Sequence, residues 1–201
     1  MHMARERATD TRALVSAAAE TFREKGYRSS TIDDIAVAAG ISRPTVYKYI
    51  SNKQHLLDLM VEEVTSTLGQ RLHEVMRSGN PPLDRLRETI KAHIEATMAN
   101  RTFYAIVFSE EIELSDESRK LFRTWAHDRT QEFGELLDEC VAARPARRKG
   151  KAGDPGLDTR IAANLLESML ATLYRWYDPA GSTSPDQLAE QIWKLVGCAF
   201  E

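Results

Sequence analysis

The 201-residue sequence predicts an all-α protein of nine helices. Apolar residues recur at spacings of three and four along nearly the whole chain, the period of a helix with one buried stripe. The one strand candidate, the apolar run Phe103 to Phe108, has no second run to pair with. Capping residues, glycines and prolines punctuate the stripes at helical intervals.

Helix one is expected from about Thr9 to Lys25, with Leu14, Ala17, Ala18 and Phe22 on one stripe and Gly26 just past its end. Thr31 opens helix two, with Asp34 three residues on as a relative of the capping box. Gly40 supplies a turn; Ser42 caps helix three, with Pro44 in its first turn, where a missing N–H costs nothing. Ser51 or Asn52 caps helix four, whose stripe of Leu57, Met60, Val64, Leu68, Leu72 and Val75 runs to about Arg77. Ser78 to Pro81 breaks it. Helix five follows from Pro82 to about Asn100, helix six from Phe103 to Ile112, and helix seven from Glu117 to Ala143. A basic, Pro/Gly-rich loop over 144–156 precedes two last helices, roughly Asp158 to Trp176 and Pro185 to Ala199. Ser184-Pro185-Asp186-Gln187 opens the last with a capping box.

Composition narrows the class. With 42% hydrophobic and 28% charged residues the balance is that of a soluble globular protein. The longest clear apolar run is six residues, too short for a membrane span, and the first 25 residues lack a signal-peptide core. Two cysteines, Cys140 and Cys198, support neither a disulfide framework nor a zinc site, and a reducing cytoplasm is the expected setting. The net charge of −3 conceals an asymmetry. Residues 1–53 hold nine Lys/Arg against six Asp/Glu, and the rest hold 18 against 24. The basic end can meet phosphate while the acidic body stays off it.

The stretch Thr31 to Lys53 is the informative one. Two short helices hinge at Gly40, with Ala36, Ala39 and Val46 placed to pack them together. That leaves Ser42, Arg43, Thr45, Tyr47, Lys48 and Tyr49 as a polar, aromatic and basic cluster on the protruding helix, as in a helix-turn-helix that enters the DNA major groove. Arg43 can fork onto guanine or a phosphate, Thr45 can offer its methyl to thymine, and Lys48 supplies charge. Tyr47 and Tyr49 can present hydroxyls to phosphate oxygens. Thr31 and Lys53 begin helices two and four, where free N–H groups and the dipole favour an anion. The plainer reading is that Thr31 and Ser42 only cap helices and that one aromatic anchors the small core; Tyr47 is expected to do both jobs.

The pattern Thr31-Ile32-x-x-Ile35-Ala36-x-x-Ala39-Gly40-Ile41-Ser42-x-x-Thr45-Val46-Tyr47-x-Tyr49-Ile50-x-x-Lys53-x-x-Leu56 resembles the signature of the TetR family of one-component repressors. It departs at Arg43-Pro44, where many members have Arg-Gly, and at Ile50, where Phe is usual. The resemblance covers about residues 10–57 and implies a homodimer whose N-terminal three-helix module binds operator DNA, released by a small ligand. The expected organisation is a DNA-binding domain over 1–53 and a ligand-binding and dimerisation domain over 54–201. Tyr174-Arg175-Trp176-Tyr177-Asp178-Pro179, with Gly181 and Ser184-Pro185-x-Gln187-Leu188, is similar to the end of family members that sense acyl-CoA or related thioesters. Its alternative is structural, with Trp176 and Tyr177 closing a helix and packing an interface.

In the body, Leu68, Met98, Phe103, Tyr104, Phe108, Phe122 and Trp125 are expected to line a cavity for an apolar ligand. Arg129, His127 or Arg123 would be its polar anchor. Arg147, Arg148, Lys149 and Lys151 either meet the phosphates of a CoA thioester or form a solvated linker. The dimer interface is expected on Leu165, Leu166, Met169, Leu170 and Leu173 of helix eight and Leu188, Ile192, Leu195 and Val196 of helix nine, paired as a four-helix bundle.

No cofactor or metal is expected. The sequence has no phosphate-cradling glycine loop, GxSxG, HExxH or CxxC, which argues against an enzyme. His55, His73, His93 and His127 read as surface or satisfied histidines, and Glu110, Glu111 and Glu113 as a solvated acidic face. A sensor of lipophilic drugs controlling an efflux gene is the alternative regulator, and activation is an alternative to repression.

Overall fold

The computed structural model describes residues 2–144 and 156–200, with side chains from residue 11 onward. All regular structure among them is helical. The residues fall into two compact units: 1–65 with 100–122, and 66–99 with 123–201. This division follows packing and cuts two long helices, whereas the expected boundary after residue 53 separates roles.

The first unit holds α1 (His2–Lys25), α2 (Ile32–Ala38), α3 (Arg43–Val46), the first half of α4 (Lys53–Met76) and α6 (Arg101–Ser109), then a 3-10 turn (Glu111–Glu113) and the first residues of α7 (Asp116–Ala142). Helix α1 starts earlier than Thr9 and packs against α2 and α6. Leu14, Ala18 and Phe22 are buried on the expected stripe, joined by Ile35, Val46, Ile50, Leu56, Leu57 and Met60. Gly26 at φ 80° and Gly40 at φ 66° take the left-handed conformation that ends α1 and turns α2 into α3, a conformation costly for any residue with a Cβ. Helix α6 ends at Ser109, three residues short of the expected limit, because the chain tightens into the 3-10 turn.

The second unit holds the rest of α4 and α7, with α5 (Pro82–Ala99), α8 (Thr159–Ala171), α9 (Leu173–Trp176) and α10 (Pro185–Val196). Helix α5 packs against α8, α9 and α10. The last turn of the expected Asp158–Trp176 helix is set off at Thr172 as α9. Ser184 and Gln187 form the full reciprocal capping box, which fixes the start of α10. Arg85 is buried: it donates to the Met76 carbonyl at 2.7 Å and pairs with Glu139. Arg147, Arg148, Lys149 and Lys151 of the 144–156 loop lie outside the described residues.

Candidate nucleic-acid interface and sensor body

The DNA-reading candidate is built by two caps and two buried anchors. Thr31 and Asp34 complete a capping box: Asp34 N–H donates to Thr31 Oγ1 at 3.1 Å, and Thr31 N–H donates to Asp34 Oδ2 at 2.9 Å. Lys25 reaches the same carboxyl at 2.5 Å, and Lys25 and Thr31 together hold it well below the usual carboxylate range. The amide and hydroxyl of Thr31 are therefore both engaged with Asp34 of its own helix. Ser42 Oγ accepts from Thr45 N–H at 3.3 Å and lies 2.8 Å from Thr45 Oγ1, so the same cap orients the threonine.

Helix α3 is a single turn, continued to Ile50 by backbone bonds from Lys48, Tyr49 and Ile50. Val46 and Ile50 point inward and are buried, which turns Arg43, Pro44, Tyr47 and Lys48 outward; Thr45 and Tyr49 are half-buried. Arg43 pairs with Asp33 at 2.9 Å and lies 5.9 Å from the centroid of the Tyr47 ring. Tyr47 and Asp33 together raise its already high pKa. This holds the guanidinium on the outward face before any contact. Lys48 is exposed and has no carboxylate partner among the described residues.

Lys53 differs from expectation. Its ammonium donates to the carbonyls of Tyr27, Arg28 and Ser30 instead of standing free for phosphate. Asn52, whose Oδ1 accepts from His55 N–H at 2.8 Å, is the cap of α4. Nor is the acidic face merely solvated. Arg28 pairs with Glu113 at 2.9 Å, Gln54 donates to the Glu113 carbonyl at 2.9 Å, and Asp58 accepts from Ser115 N–H and Oγ.

The eight residues expected around a ligand divide between the two units. In the first, Phe103, Tyr104 and Phe122 are buried, and Phe108 stacks on Tyr104 and meets Phe122 edge-on at 5.4 Å. In the second, Leu68 and Arg129 are buried while Met98 and Trp125 are half-buried. Trp125 Nε1 would lie 2.8 Å from a Cβ built on Gly69, so the missing side chain there admits the indole. Arg129 pairs with Glu132 at 2.5 Å and donates to the Gly69 carbonyl at 3.3 Å. Two open grooves of the second unit, between α5 and α10 and between α7 and α8, are lined by none of these eight. His127, one expected anchor, lines the latter groove, and Arg123 is exposed.

Residues that sequence reasoning passed over sit nearby. His93 is not a surface histidine: it is 2% exposed, and burial pushes its pKa down to about 4. Its Nδ1 is 4.0 Å from Glu167, whose carboxyl burial raises to about 7. The available signal was register, since His93 and Thr97 fall on the same stripe as Leu86 and Ile90.

Of the residues expected at a dimer interface, Leu166, Leu170, Leu173, Leu188 and Ile192 are buried inside the protomer itself. Met169 and Val196 are half-buried. Leu165 and Leu195, also expected there, are exposed, 67% and 72%, as are Ile161 and Trp176. Tyr177 is buried and donates to the Thr183 carbonyl at 2.9 Å, closing the turn after α9.

A helix-turn-helix with an outward basic and aromatic turn, carried by a larger helical body, defines a DNA-binding transcriptional regulator. Residues 14–60 match the model of bacterial regulatory proteins of the tetR family, and residues 79–197 that of the tetracyclin repressor-like C-terminal domain. The chain belongs to the TetR family, whose members are regulators and not enzymes. It is 28% identical over 183 residues to the HTH-type transcriptional repressor KstR2 of Rhodococcus jostii (strain RHA1), covering 91% of this chain and 87% of that one. The structure of KstR2 from Mycobacterium tuberculosis superposes with a TM-score of 0.78 at 23% identity, covering 92% of each chain. AibR in complex with isovaleryl coenzyme A and operator DNA superposes with a TM-score of 0.73 at 20% identity, covering 95% of this chain and 98% of that one. No helix among the described residues is long and apolar enough to cross a membrane.

Proposed function

We propose that this chain is a cytoplasmic repressor that binds a near-palindromic operator as a homodimer and leaves it when a small, largely apolar ligand, favoured as an acyl-CoA thioester, enters the body. The observation that carries the reading is the outward set Arg43, Pro44, Tyr47 and Lys48, seated on buried Val46 and Ile50. Arg43 and Thr45 read base edges, and Ser42, Tyr47, Lys48 and Tyr49 hold the backbone. Thr31 and Lys53 brace the module from within. The thioester class is supported by AibR, crystallised with isovaleryl coenzyme A and operator DNA, and the repressor sign by KstR2.

The dimer forms through the apolar side chains that the protomer leaves outside, Ile161 and Leu165 on α8 and Leu195 on α10, with Met169 and Val196 at their margin. Two recognition turns then meet successive major-groove faces, about 34–36 Å apart. Release runs through the first unit. The bonds of Gln54 and Asp58 to Glu113 and Ser115 tie the start of α4 to the segment after α6. A ligand that shifts α6 thereby shifts the recognition turn. It weakens DNA binding only by its differential affinity for the two conformations, about 1.4 kcal/mol per tenfold, and operator weakens ligand binding by the same factor.

The test is a gel shift on the DNA upstream of the chain's own gene, with acyl-CoA thioesters, free acids and cationic dyes as competitors. Release by thioesters alone supports the reading. Release by dyes alone assigns the chain to drug sensing, and no duplex binding at low salt overturns the regulator reading.

A further inference from the structure

Three helices of the second unit bring polar atoms without partners into one buried neighbourhood. His93 and Thr97 stand one turn apart on α5, 2% and 0% exposed. Neither ring nitrogen of His93, nor Thr97 Oγ1, has a hydrogen-bond partner among the described residues. His93 Nδ1 faces Glu167 Oε2 of α8 at 4.0 Å, beyond hydrogen-bond reach, and Glu167 Oε1 is buried and unpaired. Arg129 of α7 lies close enough for its charge to act on Glu167, and its Nε is unpaired although its terminal nitrogens serve Glu132 and the Gly69 carbonyl.

Buried polar groups in folded proteins nearly always find partners, and each one left alone costs stability. A protein that keeps such atoms together is set up to receive something that completes them. Charge narrows what that is. Glu132 already neutralises Arg129, and its other oxygen meets His73 Nδ1 at 2.8 Å. An entering carboxylate or phosphate finds no unspent cation, since Arg129 is already paired. An uncharged group is therefore favoured. Arg129 Nε–H and one His93 N–H can donate, Glu167 Oε1 and the other His93 nitrogen can accept, and Thr97 can do either. A carbonyl oxygen only accepts and would leave the acceptor nitrogen of the neutral His93 ring unanswered. A hydroxyl does both.

We infer that the His93, Thr97, Glu167 and Arg129 cluster binds a hydroxyl group carried on the apolar part of the ligand. This rests on the reading of the body as a ligand sensor and names the chemistry that the sensor selects.

The test is isothermal titration of the full chain with decahydronaphthalene and its alcohol, ketone and carboxylate derivatives, one apolar skeleton with four ends. The alcohol should bind about tenfold or more tighter than the other three. Thr97→Val and His93→Phe should each cut that advantage to about threefold or less while raising Tm, because each replaces an unpaired polar group with an apolar one. Equal binding of the four, tighter binding of the carboxylate, or binding by none overturns the assignment and leaves the cluster to trapped water. An unchanged preference with lowered Tm in both variants makes the cluster purely structural and overturns it too. Gel shifts on the same preparations separate the two claims. Intact operator binding without alcohol preference sinks the cluster alone, whereas loss of all duplex binding by the unaltered chain sinks the regulator reading.

Discussion

Lys53 Nζ lies 2.6 Å from the carbonyl oxygen of Tyr27 and 4.4 Å from the centroid of that residue's ring. The carbonyls of Arg28 and Ser30 accept from the same ammonium at 3.2 and 2.9 Å. One cation thus closes the segment between α1 and α2, whose carbonyls fall outside any helix, and pins it to the first residue of α4.

Lys53 and Lys48, both basic and five residues apart, should therefore fail differently. Lys53→Met keeps the stem and loses three charge-assisted hydrogen bonds, a loss of about 2 kcal/mol in stability, with Tm lowered accordingly. Its salt slope for operator binding should match the unaltered chain. Lys48→Ala should leave Tm in place and reduce the slope by about one per half-site. Salt titrations of both variants decide it, and a reduced slope in Lys53→Met would return that side chain to the phosphates.

Gly69 and Trp125 make the next case. A Cβ at position 69 would meet Trp125 Nε1 at 2.8 Å, and a rigid indole cannot yield by rotating one flexible end. Gly69→Ala gains helix propensity but displaces the ring, for a net loss of about 1–2 kcal/mol. Trp125 belongs to the expected ligand lining, so ligand release should shift while ligand-free operator affinity holds. Urea denaturation and gel shifts read the two effects separately.

Dimerisation distinguishes neighbours on one helix. Leu165 is 67% exposed and Leu166 is 4% exposed. Leu165→Glu should yield a folded monomer in sedimentation, with unchanged helicity and much weaker operator binding. Leu166→Ala should instead cost about 2–4 kcal/mol of stability by opening a cavity. A dimeric Leu165→Glu protein would remove that face from the interface.

Much of this was legible in the sequence, and the exceptions share a cause. The caps at Thr31, Ser42 and Ser184, the turn at Gly40 and the buried faces of α1 and α4 are local signals, written within four residues of where they act. The outward position of Arg43, Tyr47 and Lys48 was legible for the same reason, because Val46 and Ile50 fix which side of one turn points outward. What Lys53 does was not, because its partners are 23 to 26 residues away and a lysine at a helix start looks the same whether it meets a phosphate or a carbonyl. The leucine stripe of α8 marked an apolar helix correctly but could not say which apolar side chains α5 would cover. His93 was missed through residue type: a histidine on an apolar stripe is discounted until packing shows it buried.

His93 and Glu167 also make a pH prediction with a definite sign. Burial lowers His93 from 6.5 to about 4 and raises Glu167 from 4.5 to about 7, the nearby Arg129 opposing part of the latter. As pH falls from 6.5 to 4, the unfolded chain takes up a proton at residue 93 that the folded chain refuses, so acidification costs stability. As pH falls from 7 to 4.5, the folded chain already holds a proton at residue 167 that the unfolded chain is only regaining, so acidification restores stability. Across their shared window the two contributions oppose and largely cancel. Single variants should unmask them. Glu167→Gln should lose stability on acidification from pH 6.5 to 4, and His93→Phe should lose it as pH rises from 4.5 to 7, each by up to about 3 kcal/mol relative to the unaltered chain. Urea denaturation across that range measures both differences, and curves running parallel to that of the unaltered chain would mean that the two groups titrate normally in the folded protein.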